Sequence, residues 1–320
     1  MAEFSLIESI RQRCAHLRDD VVLGIGDDAA VVAVPPDCEL AVCTDTLVAG
    51  VHFPRDTTAA DIGWKSLAVN LSDLAAMGAT PAWALLALTL PTADTGFVEG
   101  FADGFAALAA EHGVSLIGGD TTSGPLTITV TVHGFVPKGR ALRRDRARVG
   151  DTVWVSGTLG DAAAALRERD SNGDISAESH ASLRARLDRP QPRVDLGILL
   201  REFASSCIDI SDGLLADLGH VATASGVGIE IDVLRLPASP ALLDRVPMEQ
   251  RHALQLAGGD DYELAFTVAP ERTSLLQQAV ARNAIPITLV GRVVADSGVR
   301  ALDAEGRALE LPRAGWEHFS

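Results

Sequence analysis

The sequence predicts two α/β-type halves: an N-terminal mixed sheet with helices on one face, followed by a C-terminal α/β sandwich. Three observations carry this reading. Apolar residues recur at helical spacing and at alternate positions in successive segments of both halves. At 320 residues the chain is longer than a single growing core favours. Residues 138–150 are arginine-rich in an otherwise acidic chain, which places the domains at 1–138 and 149–320.

In the first half, residues 4–18 read as a helix with Phe4, Ile7, Ile10, Cys14 and Leu17 on one face. Residues 21–25 and 29–34 read as strand segments on either side of Gly26-Asp27-Asp28, and 39–44 as a further strand after the Pro35-Pro36-Asp37 turn. Residues 58–77 carry the clearest helical pattern. Thr58 and Asp61 have the spacing of a capping box, and Gly78 with Pro81 marks the end. Ile62, Leu67, Leu71, Leu74 and Ala75 form its apolar stripe. Asn70 and Asp73, three apart, share another face, either solvated or aimed together at a site. Residues 83–90 form a continuous buried-type strand, and 98–108 a helix closing at His112-Gly113. Two strands, 114–117 and 126–135, then flank Gly118-Gly119-Asp120-Thr121-Thr122, which reads as a turn.

The second half opens with a strand at 151–156, and the polar residues 167–182 read as a mobile surface insertion. Pro190 and Pro192 precede a helix. Residues 206–210 form a strand that turns at Ser211-Asp212-Gly213 into a helix ending near Ala224. Strands at 229–233, 262–268 and 287–290, with a helix at 275–283, complete the alternation.

The 27 basic and 43 acidic residues give a formal charge of −16, which argues against nucleic acid or an anionic membrane as partner. The start carries Glu3 and Glu8 and no apolar run of the signal-peptide kind, and no apolar run is long enough to span a bilayer. Cys14, Cys38, Cys43 and Cys207 form no Cys-x-x-Cys pair and read as reduced thiols of a cytoplasmic protein.

Gly24-Ile25-Gly26-Asp27-Asp28-Ala29 fits the loose dinucleotide fingerprint, but valines and Pro35-Pro36 follow it where a helix is required. A P-loop, the protein-kinase motifs, the Gly-x-Ser-x-Gly elbow and His-Glu-x-x-His are all missing. What stands out is acidic residues in polar or Gly-rich turns. Besides Gly118-Gly119-Asp120 these are Gly26-Asp27-Asp28, Thr44-Asp45-Thr46, Asp209-Ile210-Ser211-Asp212-Gly213 and Gly258-Gly259-Asp260-Asp261. One such Asp is ordinarily a local backbone acceptor. As a set they supply the hard oxygens that Mg²⁺ prefers, and the expectation is convergence on one metal-rich phosphate site. Two like charges about 5 Å apart at an effective dielectric near 20 repel by roughly 3 kcal/mol, so carboxylates and a triphosphate need metal between them. Of the arginines at 140, 143, 144, 146 and 148, most read as solvated; one or two could reach a phosphate.

Together these segments resemble the thiamine-monophosphate kinases, within the superfamily of aminoimidazole ribonucleotide synthetase and selenophosphate synthetase. The resemblance runs from Phe4-Ser5-Leu6-Ile7 through Gly24-Ile25-Gly26-Asp27-Asp28, Thr44-Asp45-Thr46-Leu47-Val48 and Val51-His52-Phe53. It continues through Asn70-Leu71-Ser72-Asp73-Leu74-Ala75-Ala76-Met77-Gly78-Ala79, Gly118-Gly119-Asp120-Thr121-Thr122 and Ile210-Ser211-Asp212-Gly213-Leu214. Gly258-Gly259-Asp260-Asp261-Tyr262-Glu263-Leu264 and Gly315-Trp316-Glu317-His318-Phe319 complete it. It implies phosphorylation of thiamine monophosphate by ATP with several Mg²⁺ ions, and a homodimer formed through the N-terminal domain. By the same resemblance Asp28, Thr44, Asp45, Asp73, Asp120, Asp209 and Asp212 fall on metal-ligand positions, with Asp120, Asp73 and Asp212 the catalytic ones. Gly119, Asp120, Arg144 and Ser211 fall where the nucleotide is held. His52, Asp260 and Trp316 fall where the thiamine phosphate is held. For Trp316 a buried C-terminal anchor is the competing reading.

Two positions depart from the family pattern. Cys43 stands where relatives often have Ser, and Asp260 where some have Glu. A selenophosphate synthetase is the first alternative, but it needs a reactive Cys or selenocysteine near a Lys, and Cys14 lies on an apolar helix face with no Lys close by. The second alternative is a non-catalytic thiamine-phosphate or nucleotide sensor, for which so complete an acidic set has no use.

Overall fold

The structure is a computed structural model that describes residues 2–14, 18–169, 177–281, 286–309 and 315. Its contacts separate two units: Met1–Leu74 with Ala79–Ala141, and Ala75–Gly78 with Leu142–Ser320.

The first unit runs α1 (Ala2–Arg13), β1 (Val21–Leu23), β2 (Val31–Val32), β3 (Cys38–Val48), α2 (Ala59–Ala76), β4 (Thr80–Leu90), α3 (Thr95–Glu111), β5 (Ser115–Ser123) and β6 (Thr127–Pro137). Its sheet has the order β3-β6-β4-β5, with β4 and β5 parallel and the other pairs antiparallel. The capping box predicted for α2 is present. The Thr58 hydroxyl donates to Asp61 Oδ2 at 2.7 Å and accepts the Asp61 N–H at 3.2 Å. One sheet face is buried through Leu86, Leu88, Ile128, Val130 and Val132, and Leu74 of α2 lies against Gly134 of β6. Two glycines let α2 and α3 meet backbone to backbone. A Cβ on Gly63 would lie 2.0 Å from the Phe101 carbonyl oxygen, and one on Gly104 would lie 1.8 Å from that of Ala60. At one end of the other sheet face, Trp83, Ile117 and Phe135 pack against Val21, Ala30 and Val32 of the β1–β2 ribbon. The rest of that face leaves Leu40 at 42% and Val42 at 53% exposure.

Two turns expected from the sequence are strand instead. Gly118-Gly119-Asp120-Thr121-Thr122 lies inside β5, paired with β4 as far as Ser123, and Thr44-Asp45-Thr46 lies inside β3, paired with β6 along its whole length. The reason at β5 is a close strand approach. A Cβ on Gly119, whose φ is 152°, would lie 1.8 Å from the Leu86 carbonyl oxygen.

The second unit runs β7 (Thr152–Ser156), α4 (Asp161–Arg169), α5 (Ala177–Asp188), α6 (Val194–Leu200), β8 (Ala204–Asp209), α7 (Leu214–Ser225) and β9 (Gly228–Asp232). It continues with α8 (Pro240–Arg245), α9 (Met248–Ala257), β10 (Leu264–Val268), α10 (Thr273–Val280), β11 (Ile287–Val294) and β12 (Gly298–Leu302). The sheet order is β12-β9-β11-β7-β10-β8, and only β12 and β9 are parallel. Val153, Val155, Ile208, Ile229, Ile231 and Ala265 from the sheet bury against Leu214, Leu218 and Val221 of α7. The segment 167–182, read as a mobile insertion, is helical where described: α4 reaches Arg169 and α5 starts at Ala177, while 170–176 lie outside the described residues. The α8 and α9 helices and β12 were not anticipated. The α8 helix has a readable start, with Ser239 capping the Leu242 N–H at 3.0 Å and Pro240 following it. Among the described residues no helix is long and apolar enough to cross a membrane.

Candidate active site

In the first unit the predicted residues lie on three elements and on the loops around them. Thr44 and Asp45 are adjacent on β3 and so point to opposite faces. Registers carry Asp45 across Val130 and Leu86 to Gly119, and Thr46 across Thr129 and Ala87 to Asp120. Asp45 is therefore on the buried-face side, while Thr44, Thr46 and Asp120 are on the other. With two strands between them, β3 and β5 stand about 14 Å apart at the usual strand spacing, so Asp45 and Asp120 occupy opposite edges of the sheet. Cys43, two residues before Asp45, donates its thiol to the Asn70 carbonyl at 3.4 Å, which sets this part of β3 against α2 one turn before Asp73. Cys43 thus has a structural role, tying β3 to α2.

Asp28 is exposed between β1 and β2, its N–H donating to Asp27 Oδ1 at 2.8 Å. His52 Nδ1 accepts the Val48 N–H at 2.9 Å, which places the proton of the neutral ring on Nε2. Beside Gly119 and Asp120, Ile7, Ile10, Ile25, Leu86 and Leu116 line a recess of about 100 Å³. An apolar recess next to polar backbone can take a flat ring.

In the second unit two loops are joined strand-fashion. The Asp260 N–H donates to the Ser211 carbonyl and the Tyr262 N–H to the Ile210 carbonyl, both at 2.8 Å, and the Ile210 N–H returns to the Glu263 carbonyl at 2.8 Å. This brings together Ser211, Asp212 and Asp260, with Asp209 at the end of β8. Asp260 and Tyr262 both have positive φ, 68° and 49°, an unusual conformation for residues with a Cβ and one that clusters at functional sites. Gly315 adjoins the same loop, since a Cβ there would lie 2.7 Å from the Asp212 carbonyl oxygen. Trp316 lies outside the described residues. Arg144 is exposed, and its carbonyl accepts the Ser225 hydroxyl at 2.9 Å; neighbouring Arg143 is engaged with Asp145 at 2.5 Å.

Four further residues lie behind these loops: Asp217 and Arg193 carried no sequence signal, whereas Asp261 and Glu263 stand in the 258–264 segment that the sequence singled out. The Asp217 carboxylate accepts the N–H groups of Ser211, Asp212 and Gly213. Burial, then the charges of Asp209 and Asp212, push its pKa up to about 7. Asp261 is buried and accepts the Gly160 N–H on both oxygens, at 3.0 and 2.9 Å; burial raises its pKa well above the carboxylate range. Fully buried Glu263 accepts from Arg193 at 2.6 and 2.5 Å, from Arg186 at 2.8 Å and from the Ser156 hydroxyl at 2.5 Å. Arg193 is the fourth. Among the described residues no three His, Cys, Asp or Glu side chains form a metal cluster.

Family models describe the same two-part chain: the N-terminal domain of AIR synthase related proteins matches residues 26–136, and their C-terminal domain matches 148–303. The thiamine-monophosphate kinase of Salmonella typhimurium is 46% identical over 319 residues, covering 99% of this chain and 98% of its own. That of Escherichia coli K12 matches to the same extent. The crystal structure of thiamine-monophosphate kinase from Stenotrophomonas maltophilia superposes with a TM-score of 0.89 at 51% identity, over 97% of this chain and 98% of that one. A further structure, AaThiL complexed with AMPPCP and TMP, has a TM-score of 0.79 at 34% identity over 99% and 97% of the two chains. With both halves matched and relatives aligned from end to end, the chain belongs to the thiamine-monophosphate kinase family.

Proposed function

We propose that this protein transfers the γ-phosphoryl group of ATP to thiamine monophosphate, giving ADP and thiamine diphosphate. The observation that carries this is similarity along the whole chain to kinases of that specificity, together with a relative complexed with AMPPCP and TMP. The acceptor phosphate is largely ionised at neutral pH, because its second pKa is about 6. One of its oxygens attacks the γ-phosphorus in line while the bond to the ADP oxygen breaks, so no side chain has to remove a proton. Catalysis then rests on positioning and on charge.

The chain's residues divide that work. We assign Gly119, Asp120, Ser211 and the exposed guanidinium of Arg144 to the nucleotide. His52 presents Nε2–H to the acceptor phosphate, and Asp260 with Trp316 holds the cationic thiazolium. Asp28, Thr44, Asp45, Asp73 and Asp120 in the first unit, with Asp209 and Asp212 in the second, are assigned to Mg²⁺; Asp73, Asp120 and Asp212 are the ligands nearest the chemistry. The donor set suits Mg²⁺, being carboxylate and hydroxyl oxygen. Burial, and then the charges of Asp209 and Asp212, raise the proton affinity of Asp217, and this gathering of carboxylates is consistent with a cation there. When bound, Mg²⁺ neutralises phosphate charge that these carboxylates would otherwise repel.

The exposed sheet face with Leu40 and Val42 supports a homodimer formed through the first unit. The absence of a disulfide among the four cysteines supports a cytoplasmic setting.

Purified protein should form thiamine diphosphate from the monophosphate only with ATP and Mg²⁺ together. ADP release with another acceptor and none with thiamine monophosphate would overturn the assignment. Asp73→Asn and Asp120→Asn should each lower kcat by about a hundredfold or more, with the circular dichroism of the parent.

A further inference from the structure

Asp217 lies one turn inside α7 and is 3% exposed. A single oxygen, Oδ2, accepts the N–H groups of Ser211, Asp212 and Gly213, each at 3.1 Å. Three consecutive N–H groups aimed at one point form a concave seat for an anion. Here the chain occupies the seat with its own carboxylate. The backbone around it has little slack: Gly213 has φ 127°, and a Cβ there would lie 3.0 Å from the Ala257 carbonyl carbon. On the outer side, the Ser211 carbonyl accepts the Asp260 N–H at 2.8 Å, so whatever fixes the first loop also fixes the second.

We infer that Asp217 is a positioning residue, which sets where Ser211 and Asp212 project by seating three backbone N–H groups on one carboxylate oxygen and, through Ser211, aligns the loop of Asp260. The inference rests on the assignment of Ser211 and Asp212 to nucleotide and Mg²⁺. It has a chemical consequence. These N–H groups are already engaged, so phosphate oxygens meet this loop through side chains and metal rather than through its backbone. What the seat requires is an acceptor atom at one reach from α7, and charge is secondary to placement.

Two variants that keep the helix and a polar side chain separate reach from charge. Asp217→Asn puts an uncharged acceptor at the native reach, and its amide oxygen takes the same three N–H groups. Asp217→Glu retains the charge but carries the acceptor one methylene too far. With steady-state kinetics in ATP and in Mg²⁺, the Asn variant is expected to exceed the Glu variant at least tenfold in kcat/KM for ATP. The Glu variant is also expected to need several-fold more Mg²⁺ for half-activation. Hydrogen exchange of the peptide containing residues 210–213 should accelerate in the Glu variant and stay near the parent rate in the Asn variant. A Glu variant equal to or better than the Asn variant would overturn the inference in favour of a role for charge. Equal exchange in both variants would overturn it as well. Parent protein inactive on thiamine monophosphate would instead remove the proposed reaction, while the exchange comparison would still decide whether Asp217 orders the loop.

Discussion

The Tyr262 hydroxyl donates to Asp260 Oδ1 at 3.1 Å, and both residues hold left-handed backbone around the buried Asp261. The bond fixes the direction in which Asp260 presents its charge. Tyr262→Phe should therefore raise KM for thiamine monophosphate about threefold with little change in kcat, whereas Asp260→Asn should raise it roughly tenfold by removing the charge proposed to face the thiazolium. Steady-state kinetics with each substrate varied in turn checks this. A larger rise in KM for ATP would reassign the loop to the nucleotide.

Glu263 holds Arg186 and Arg193 from a fully buried position. Glu263→Ala leaves the Arg193 guanidinium without its carboxylate and Arg186 with Asp161 at 3.7 Å, and should destabilise the second unit by about 3–5 kcal/mol. For a unit of this size that lowers Tm by roughly 10 °C in a thermal melt. Glu263→Gln, which keeps two acceptor lone pairs, should lose about half as much. A melt unchanged in the Ala variant would show the cluster to be dispensable for stability.

Gly119→Ala would place a methyl 1.8 Å from the Leu86 carbonyl, and β5 has to move off β4 to admit it. Hydrogen exchange should rise along residues 118–123 with the second unit unaffected, and KM for ATP should increase by about tenfold or more. Native exchange in this strand would contradict the close approach.

What the sequence made legible divides along a physical line. The α2 helix was readable because its signals are local: a capping box, an apolar stripe and a terminal glycine. The alternation Leu126, Ile128, Val130, Val132 likewise marked β6. By contrast, Gly118-Gly119-Asp120 and Thr44-Asp45-Thr46 read as turns because small and acidic residues disfavour strands, while the pairing with β4 and β6 that makes them strand is non-local. Candidate site residues show the same division. Ser211 and Asp212 advertise themselves in a polar Gly-containing turn. Asp217 looks like any acidic residue early in a helix until the helix returns it to that turn, and Glu263, though inside a segment the sequence singled out, takes its role from arginines 77 and 70 residues away.

The pH dependence follows from Asp217. An unfolded Asp titrates near 4, whereas burial and the charges of Asp209 and Asp212 bring the folded group up to about 7. Between those values the native state holds a proton that the unfolded chain has released. Stability from this group is thus present at low pH, declines as pH rises from about 4 to 7, and is level above that. A cation that relieves the carboxylate repulsion competes with this proton. The rise in Tm on adding Mg²⁺ should accordingly be larger at pH 8 than at pH 6, which differential scanning fluorimetry measures. Equal rises at the two pH values would place the Mg²⁺ ions away from this group.

The glycine contacts between α2 and α3 bear on how Asp73 behaves over time. Side chains can rock between rotamers, but carbonyl oxygens already within reach of the opposing backbone at Gly63 and Gly104 leave no such play. The helix that carries Asp73 is therefore braced like a strut. In the role proposed for Asp73, a carboxylate mounted on it would meet a cation with little rearrangement, and the barrier to turnover would not include the cost of assembling that corner of the proposed site.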